Sequence, residues 1–323
     1  MSVTIRMFAA VAAAVFSLPV QFARADWPDH AVRWVVPFSA GGANDLMARA
    51  AAEGVSKRIK QPVVIENKPG AGAAIGAEYV AKSKPDGYTF LIGAAGTITN
   101  SMIRKDMPYQ DSDLVPVGMI AVAPSVIVVH PSIPASNLKE FIAWAKSRGD
   151  KGVSWATAGT ASTPHFVAKM LKEAGVTNLN IIPYKSGSES VTAVISNNVA
   201  GTSEASIVVI PLIQAGKLKA IATTYDTRIS SYKSISTTKE QGYPGVKIGH
   251  WAGLYAPKGT PQPIIDRMNA ELLAVVKSKE FADKLVPQGI EPAPYTLAAY
   301  NVFLNAERER LGKIVKSAKM QAD

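Results

Sequence analysis

The apolar residues of the chain fall into short strand-like runs, and these alternate with longer segments in which apolar residues recur at helical spacing. This alternation is typical of βαβ units and mostly parallel sheets. The runs predict strands at residues 32–37, 63–66, 89–93, 125–130, 153–156, 180–183, 218–223 and 252–256. The helical patterns cover residues 44–58, 76–83, 137–147, 164–174, 188–197, 207–215, 263–277, 279–288 and 297–319. We therefore expect an α/β protein.

Two turns far apart in the chain are built alike, because in each a strand leads through small residues into a helix. They are Ser39-Ala40-Gly41-Gly42-Ala43 and Ala158-Gly159-Thr160-Ala161-Ser162. Backbone N–H groups at a helix N-terminus are free to bind an anion. Glycine lets the backbone approach a ligand, and hydroxyl groups add donors. The pair of turns predicts a ligand with carboxylate groups, held between two domains.

The two turns fall in two α/β blocks, which predicts a division into domains. We expect the chain to cross between the blocks near residues 121–124 and 250–252. One domain then contains residues 26–122 and 252–323, and the other contains residues 123–251. Two crossovers form a hinge, and a ligand in the cleft favours the closed form.

The N-terminus has the features of an export signal. Arg6 supplies a positive charge, residues 7–20 are almost wholly apolar, and Ala23-Arg24-Ala25 matches an A-x-A cleavage site. The apolar stretch is shorter than the roughly 20 residues of a membrane span. We expect cleavage after Ala25 and a soluble mature protein in the periplasm.

Composition narrows the possible function classes. The 323-residue chain contains no cysteine, which excludes thiolate metal sites, redox motifs and a cysteine nucleophile. The formal net charge is +10, but the Lys and Arg residues are scattered, so a nucleic-acid partner is not expected. His30, His130 and His250 show no metal-ligand spacing and are expected at structural or surface positions. We expect no metal and no other cofactor.

A series of motifs in a fixed order covers nearly the whole mature chain. It comprises Trp27-Pro28, Pro37-Phe38-x-x-Gly41-Gly42-x-x-Asp45-x-x-Ala48-Arg49, Glu66-Asn67-Lys68-Pro69-Gly70-Ala71-Gly72, Pro85-Asp86-Gly87-Tyr88-Thr89, Gly159-Thr160-x-Ser162-x-x-His165, Pro183-Tyr184-Lys185-x-Gly187, Gly216-Lys217-Leu218-Lys219-Ala220 and Ala256-Pro257-Lys258-Gly259-Thr260-Pro261. Each motif is weak alone, but the ordered set is specific. The chain resembles the extracytoplasmic substrate-binding proteins of tripartite tricarboxylate transporters, the Bug family.

The resemblance implies a two-domain type II periplasmic-binding-protein (Venus flytrap) fold, with two mixed sheets flanked by helices and a two-crossover hinge. It further implies a monomeric receptor for a small carboxylate, with membrane transporter subunits as transient partners. The positions that match the family's ligand turns are Phe38, Ser39, Gly41, Gly42 and Asp45 in one domain, and Gly159, Thr160, Ala161, Ser162 and His165 in the other. Thr97 follows a strand end that faces the same cleft, because ligands bind at the carboxyl ends of parallel strands.

One position departs from the family's pattern. Ala200 stands where family members usually have an aspartate that meets the ammonium group of amino-acid ligands, which disfavours an amino acid unless Glu204 substitutes. A pocket with Phe38, Thr202, Ser203 and backbone N–H groups suits two carboxylates on an apolar or aromatic body. The resemblance points to terephthalate-binding members. A linear dicarboxylate or a citrate-like acid remains open.

Several of these residues have a structural alternative. His165 either donates to the ligand as a neutral imidazole or serves the fold, and Asp45 is more readily explained by stabilisation of a helix start. Glu204 stays open between ligand contact, support of neighbouring residues and a solvated position. Residues 70–76 resemble a dinucleotide fingerprint, but the G-x-G-x-x-x-G spacing favours a structural turn.

Two other functions compete with that of a carboxylate receptor. A serine hydrolase would use Ser162 or Ser203 with His165 and an acid such as Asp45, yet residues 201–205 lack the final glycine of a G-x-S-x-G elbow. A ligand-sensing adaptor for a membrane sensor shares every sequence feature of a transporter component. The sequence favours a receptor that is not an enzyme.

Overall fold

The structure of the protein, a computed structural model, describes residues 27–160 and 162–321. The predicted export signal, its cleavage site and Ala161 lie outside the described residues. No helix in the described part of the chain is long and apolar enough to cross a membrane.

Strands and helices alternate through most of the described chain. The strands are β1 (Val32–Val36), β2 (Val63–Asn67), β3 (Thr89–Gly93), β4 (Leu114–Val129), β5 (Val153–Thr157), β6 (Leu179–Pro183), β7 (Gly201–Ala205), β8 (Lys219–Thr223), β9 (Gly249–Pro257) and β10 (Glu291–Pro292). The α-helices are α1 (Ala43–Ile59), α2 (Ala74–Ala81), α3 (Ala95–Ile103), α4 (Leu138–Ser147), α5 (Thr163–Glu173), α6 (Gly187–Ile195), α7 (Ser206–Gln214), α8 (Gln262–Val276), α9 (Lys279–Leu285) and α10 (Leu297–Ser317).

Every predicted strand and helix is present, but several elements differ from the sequence prediction, among them the two-residue strand β10, which was not predicted. The strand β7 was not predicted, because Gly-Thr-Ser-Glu-Ala has no apolar alternation, yet all five residues are buried. The helix α3 was not predicted either. Its many small and polar residues gave no apolar periodicity, although most of them are buried in the structure. The predicted strand at 125–130 is only the second half of β4, which is 16 residues long.

The strands form one hydrogen-bonded path in the order β2-β1-β3-β9-β4-β7-β5-β6, with β8 and β10 also paired to β4. Parallel pairs lie at both ends of this path, between β1 and its neighbours and between β5 and its neighbours. The central pairs of β9, β4 and β7 are antiparallel. Both halves of the sheet are therefore mixed, as predicted.

The long strand β4 joins the two halves. Its first part pairs with β9 as far as Pro124, which lies opposite Gly249. From Ser125 onward it pairs with β7, beginning with Ala205. The change of partner falls beside the predicted crossing near 121–124, while the domain limits at 122/123 and 251/252 stay predictions.

The C-terminal helices return to the first half of the sheet, where α8 packs on α1 and α10 packs on α3. A buried cluster around Trp34, Met47 and Leu272 fixes the first of these contacts. A second cluster, which includes Trp155 and Tyr300, extends through both halves. Close packing of this kind holds the strand ends in place, and the candidate site is built from those ends.

Candidate functional site

A cavity of about 250 Å³ lies between the two halves of the sheet. Its volume is slightly below the roughly 300–1,000 Å³ that is usual for small-molecule sites. The first half contributes the turns that follow β1, β2 and β3, and the second half contributes the turn after β5, the start of α6 and the end of β7. The strand β9 adds His250 and Trp251.

Five helix N-termini of the described chain reach this cavity. Residues that precede or begin α1, α2, α3, α5 and α6 all lie on its wall. The first N–H groups of a helix have no partner within the helix, and the helix dipole makes that end positive. The wall therefore favours an anion and requires no cationic side chain to bind it.

The turn after β1 is shaped by Asp45, whose side chain is almost fully buried. Its Oδ2 accepts hydrogen bonds from the N–H of Gly41 and from Nε of Arg49, both at 2.9 Å, and its Oδ1 accepts one from Asn67 at 2.9 Å. Burial raises the pKa of Asp45, but these hydrogen bonds outweigh burial and hold the pKa below its ordinary value. Asp45 does not line the cavity, so its geometry favours the structural alternative.

Phe38, Ser39 and Gly42 of the same turn line the cavity, whereas Gly41 does not. Gly41 instead supplies a left-handed residue, with φ of +79°, that brings the chain into α1. Glycine adopts this conformation without the steric cost that other residues carry.

In the turn after β5, Ser162 lines the cavity, whereas Gly159, Thr160 and His165 lie outside its lining. Oγ of Ser162 donates to the carbonyl of Gly159 at 2.5 Å, so the hydroxyl proton closes the turn. Ser162 is also the N-cap of α5, and its side chain makes no capping hydrogen bond to that helix.

Thr97, Thr202 and Ser203 were predicted to contact the ligand, but the structure does not place them on the cavity wall. Oγ1 of Thr202 donates to the carbonyl of Ala156 at 2.8 Å, and Oγ1 of Thr97 accepts the N–H of Ala94 at 3.0 Å. Ser203 is fully buried. The Thr202 side chain thus bonds within the sheet and the Thr97 side chain closes the start of α3, while ligand contact by these three residues stays a prediction.

Glu204 is the residue of β7 whose side chain reaches the cavity, although it is only 7% exposed. Its Oε1 accepts the N–H of Ala205 at 2.8 Å and lies 3.3 Å from Nε2 of His250. A Cβ atom placed on Gly187 would come within 2.0 Å of Oε2, so α6 starts directly against this carboxylate. The solvated position that the sequence left open for Glu204 is therefore wrong.

Sequence reasoning missed His250 as a member of the site. Burial lowers the pKa of His250, and the nearby Glu204 carboxylate opposes this shift. The only signal in the sequence was its place at the predicted crossing near 250–252.

The remaining wall is mainly apolar. Phe38, Pro69, Val208 and Trp251 line it, and Nδ2 of Asn44 donates to the carbonyl of Trp251 at 2.8 Å. Lys185 is exposed at the edge. The dinucleotide-like segment contributes a turn at residues 70–73, and a Cβ on Gly76 would lie 2.8 Å from Cβ of Pro37. An anion-binding rim next to apolar surface suits a small organic acid.

Comparison with known proteins gives the same picture. Protein BugT of Bordetella pertussis is 31% identical over 293 residues, which cover 90% of this chain and 90% of BugT. The solved structure of the periplasmic binding protein BugD is 32% identical with a TM-score of 0.84, covering 92% of this chain and 100% of that one. The structure of R. palustris Rpa4515 with adipate is 31% identical with a TM-score of 0.86, covering 92% and 99%.

These neighbours confirm the predicted two-domain periplasmic-binding-protein fold. The chain also matches the family described as "Tripartite tricarboxylate transporter family receptor" (TctC) over residues 47–320. With the fold, the cavity and the ordered motifs in agreement, the chain belongs to the TctC family of tripartite tricarboxylate transporter receptors.

Proposed function

We propose that the protein is an extracytoplasmic solute-binding protein, which captures a small carboxylate between its two domains and delivers it to a tripartite tricarboxylate-type membrane transporter. The observation that carries this proposal is the convergence of five helix N-termini, from both halves of the sheet, on one cavity. The adipate in the Rpa4515 structure supports a carboxylate as the ligand class. The family's name supports a transporter as the partner.

The cavity wall gives each part of such a ligand a place. The turns at residues 39–43 and 162–163 present helix N-termini to a carboxylate, and Phe38 and Trp251 pack against an apolar body. The aromatic dicarboxylate terephthalate is one candidate, and an aliphatic dicarboxylate such as adipate or a citrate-like acid is the alternative.

Catalysis has no part in this proposal. The hydroxyl proton of Ser162 is directed to the carbonyl of Gly159, and Ser203 is buried away from the cavity wall. A serine nucleophile needs its proton directed to a base, and neither hydroxyl has that arrangement here.

We further propose that the mature chain acts as a monomer in the periplasm, after removal of residues 1–25.

The test is calorimetric titration of the mature protein with benzoate, terephthalate, adipate, succinate, citrate and aspartate. A ligand that binds only the folded state also raises the free energy of unfolding, by about 2.7 kcal/mol at a hundredfold excess over Kd. We expect saturable binding of at least one acid together with a rise in melting temperature. Absence of both effects for every acid would overturn the proposal. Capture of transporter subunits rather than a membrane sensor would separate delivery from the adaptor function.

A further inference from the structure

We propose that Glu204 provides, from within the protein, the carboxylate for one end of the cavity, so that the ligand is a monocarboxylate whose far end carries a hydrogen-bond donor such as a primary amide or a hydroxyl group. This inference rests on the proposed function, because it concerns the same cavity. It narrows the ligand class from small carboxylates to acids with one charged end, and so disfavours the dicarboxylates and the citrate-like acid named above.

The first reason is the position of the Glu204 carboxylate. Oε1 accepts the N–H of Ala205, the residue that precedes α7, and Oε2 lies against Gly187, the first residue of α6. A carboxylate at two helix N-termini occupies the kind of place that suits the carboxylate of a ligand. This end of the cavity therefore already contains its anion.

The second reason is the charge that a second ligand carboxylate would meet. Glu204 is only 7% exposed, and like charges repel strongly where water is excluded. The groups that face Glu204 offer little compensation. Burial lowers the pKa of His250 and so favours the neutral imidazole, while Lys185 is exposed at the edge of the cavity.

The third reason is the hydrogen bonding that remains open at this end. Among the described residues, Nε2 of His250 is buried without a hydrogen-bond partner, because its contact with Glu204 at 3.3 Å is not aligned as a hydrogen bond. A primary amide can donate N–H to the carboxylate and accept from an imidazole N–H through its carbonyl. One such group would complement Glu204 and His250 together.

The test uses pairs of acids that differ only at the far end. These are 4-carbamoylbenzoate against terephthalate, and adipic acid monoamide against adipate, with Kd measured by calorimetry at neutral pH. We expect the wild-type protein to bind the monoamide of at least one pair about tenfold more tightly than the dicarboxylate, which corresponds to about 1.4 kcal/mol.

Two variants locate the cause of this preference. Glu204→Gln removes the charge with little change of shape and should shift the ratio of the two Kd values toward the dicarboxylate by about tenfold or more. Glu189→Gln removes the same charge from the first turn of α6, outside the cavity lining, and should keep the wild-type ratio. Circular dichroism and melting temperature check that both variants are folded.

The outcomes separate this inference from the proposed function. Equal or tighter binding of the dicarboxylates by the wild type overturns the inference even if Glu204→Gln fails to fold, and it leaves the carboxylate receptor intact. An unchanged ratio in a folded Glu204→Gln variant also overturns it. If the wild type binds none of the four acids, the inference is wrong; if it also fails to bind benzoate, succinate, citrate and aspartate, both proposals are wrong.

Discussion

Oε1 of Glu204 lies 3.3 Å from Nε2 of His250, and this contact sits where β4 changes its partner strand. Glu204 is opposite Val126 in the pairing of β7 with β4, and His250 is opposite Ala123 in the pairing of β9 with β4. The two side chains thus connect the halves of the sheet beside the junction between them. Four predictions test this junction and the turns around it.

The stability of the protein should decrease in mild acid partly because of His250. Burial lowers the pKa of His250 in the folded state, so below the ordinary value of about 6.5 the unfolded chain binds a proton that the folded protein does not. The contribution of His250 to the free energy of unfolding is therefore complete above about pH 6.5. It is lost as the pH falls below that value, by up to about 1.4 kcal/mol per pH unit.

Urea unfolding at pH 7.5 and pH 5.5 measures this effect. The variant His250→Gln should lose less stability between the two pH values than the wild type loses. The matched control is His30→Gln, because the side chain of His30 is 64% exposed. Equal losses in the wild type and in His250→Gln would contradict the prediction.

Gly187→Ala should destabilise the protein by about 1–3 kcal/mol, the usual cost of overpacking. The added Cβ would lie 2.0 Å from Oε2 of Glu204, so the carboxylate or the start of α6 must move. The control is Gly312→Ala in α10, where the Cβ would make an ordinary contact of 3.6 Å with Sδ of Met102. Chemical denaturation of both variants measures the difference, and similar stabilities would show that the contact at Glu204 relaxes without cost.

Ser162→Ala should weaken carboxylate binding, while the fold remains intact. The substitution removes both a hydroxyl group on the cavity wall and its hydrogen bond to Gly159, worth about 0.5–1.5 kcal/mol. Calorimetry should then show an increase in Kd, with a smaller increase for His165→Ala because His165 lies outside the cavity lining.

The control for Ser162→Ala is Ser147→Ala. Ser147 is an exposed serine at the end of α4 whose Oγ also donates to a backbone carbonyl, that of Trp144. It lies outside the cavity lining and should leave Kd unchanged. Full-strength binding by both Ser162→Ala and His165→Ala would show that the turn after β5 is not part of the ligand site.

Asp45→Ala should lower both stability and ligand affinity, although Asp45 does not touch the cavity. The substitution removes the acceptor of the Gly41 N–H and one of the two acceptors of the Asn67 amide, at a cost of about 0.5–1.5 kcal/mol for each partly buried hydrogen bond. The turn that carries Ser39 and Gly42 then loses its support. Asp106→Ala, at a carboxylate that is 87% exposed, is the control for denaturation and calorimetry. Wild-type stability and wild-type Kd in Asp45→Ala would show that Asp45 does not support the turn after β1.

The apolar pattern located most elements of the fold. The patterns at 32–37 and 44–58 predicted β1 and α1 to within one residue at each end, because residues that face a core recur at fixed spacing. The polar strand β7 could not be found in this way. The buried hydroxyl group of Thr202 donates to the carbonyl of Ala156, and such a partner is visible only in three dimensions.

The sequence by itself determined the α/β class, the family and the two strand-to-helix turns, because periodicity, turn residues and ordered motifs are local properties of the chain. Only the tertiary structure decided which side chains reach the cavity. Neighbouring residues of one strand point to opposite faces, so the choice between Ser203 and Glu204 depends on how β7 packs. The pairing of Glu204 with His250 likewise depends on how β4 brings β7 and β9 together, and no local pattern records that arrangement.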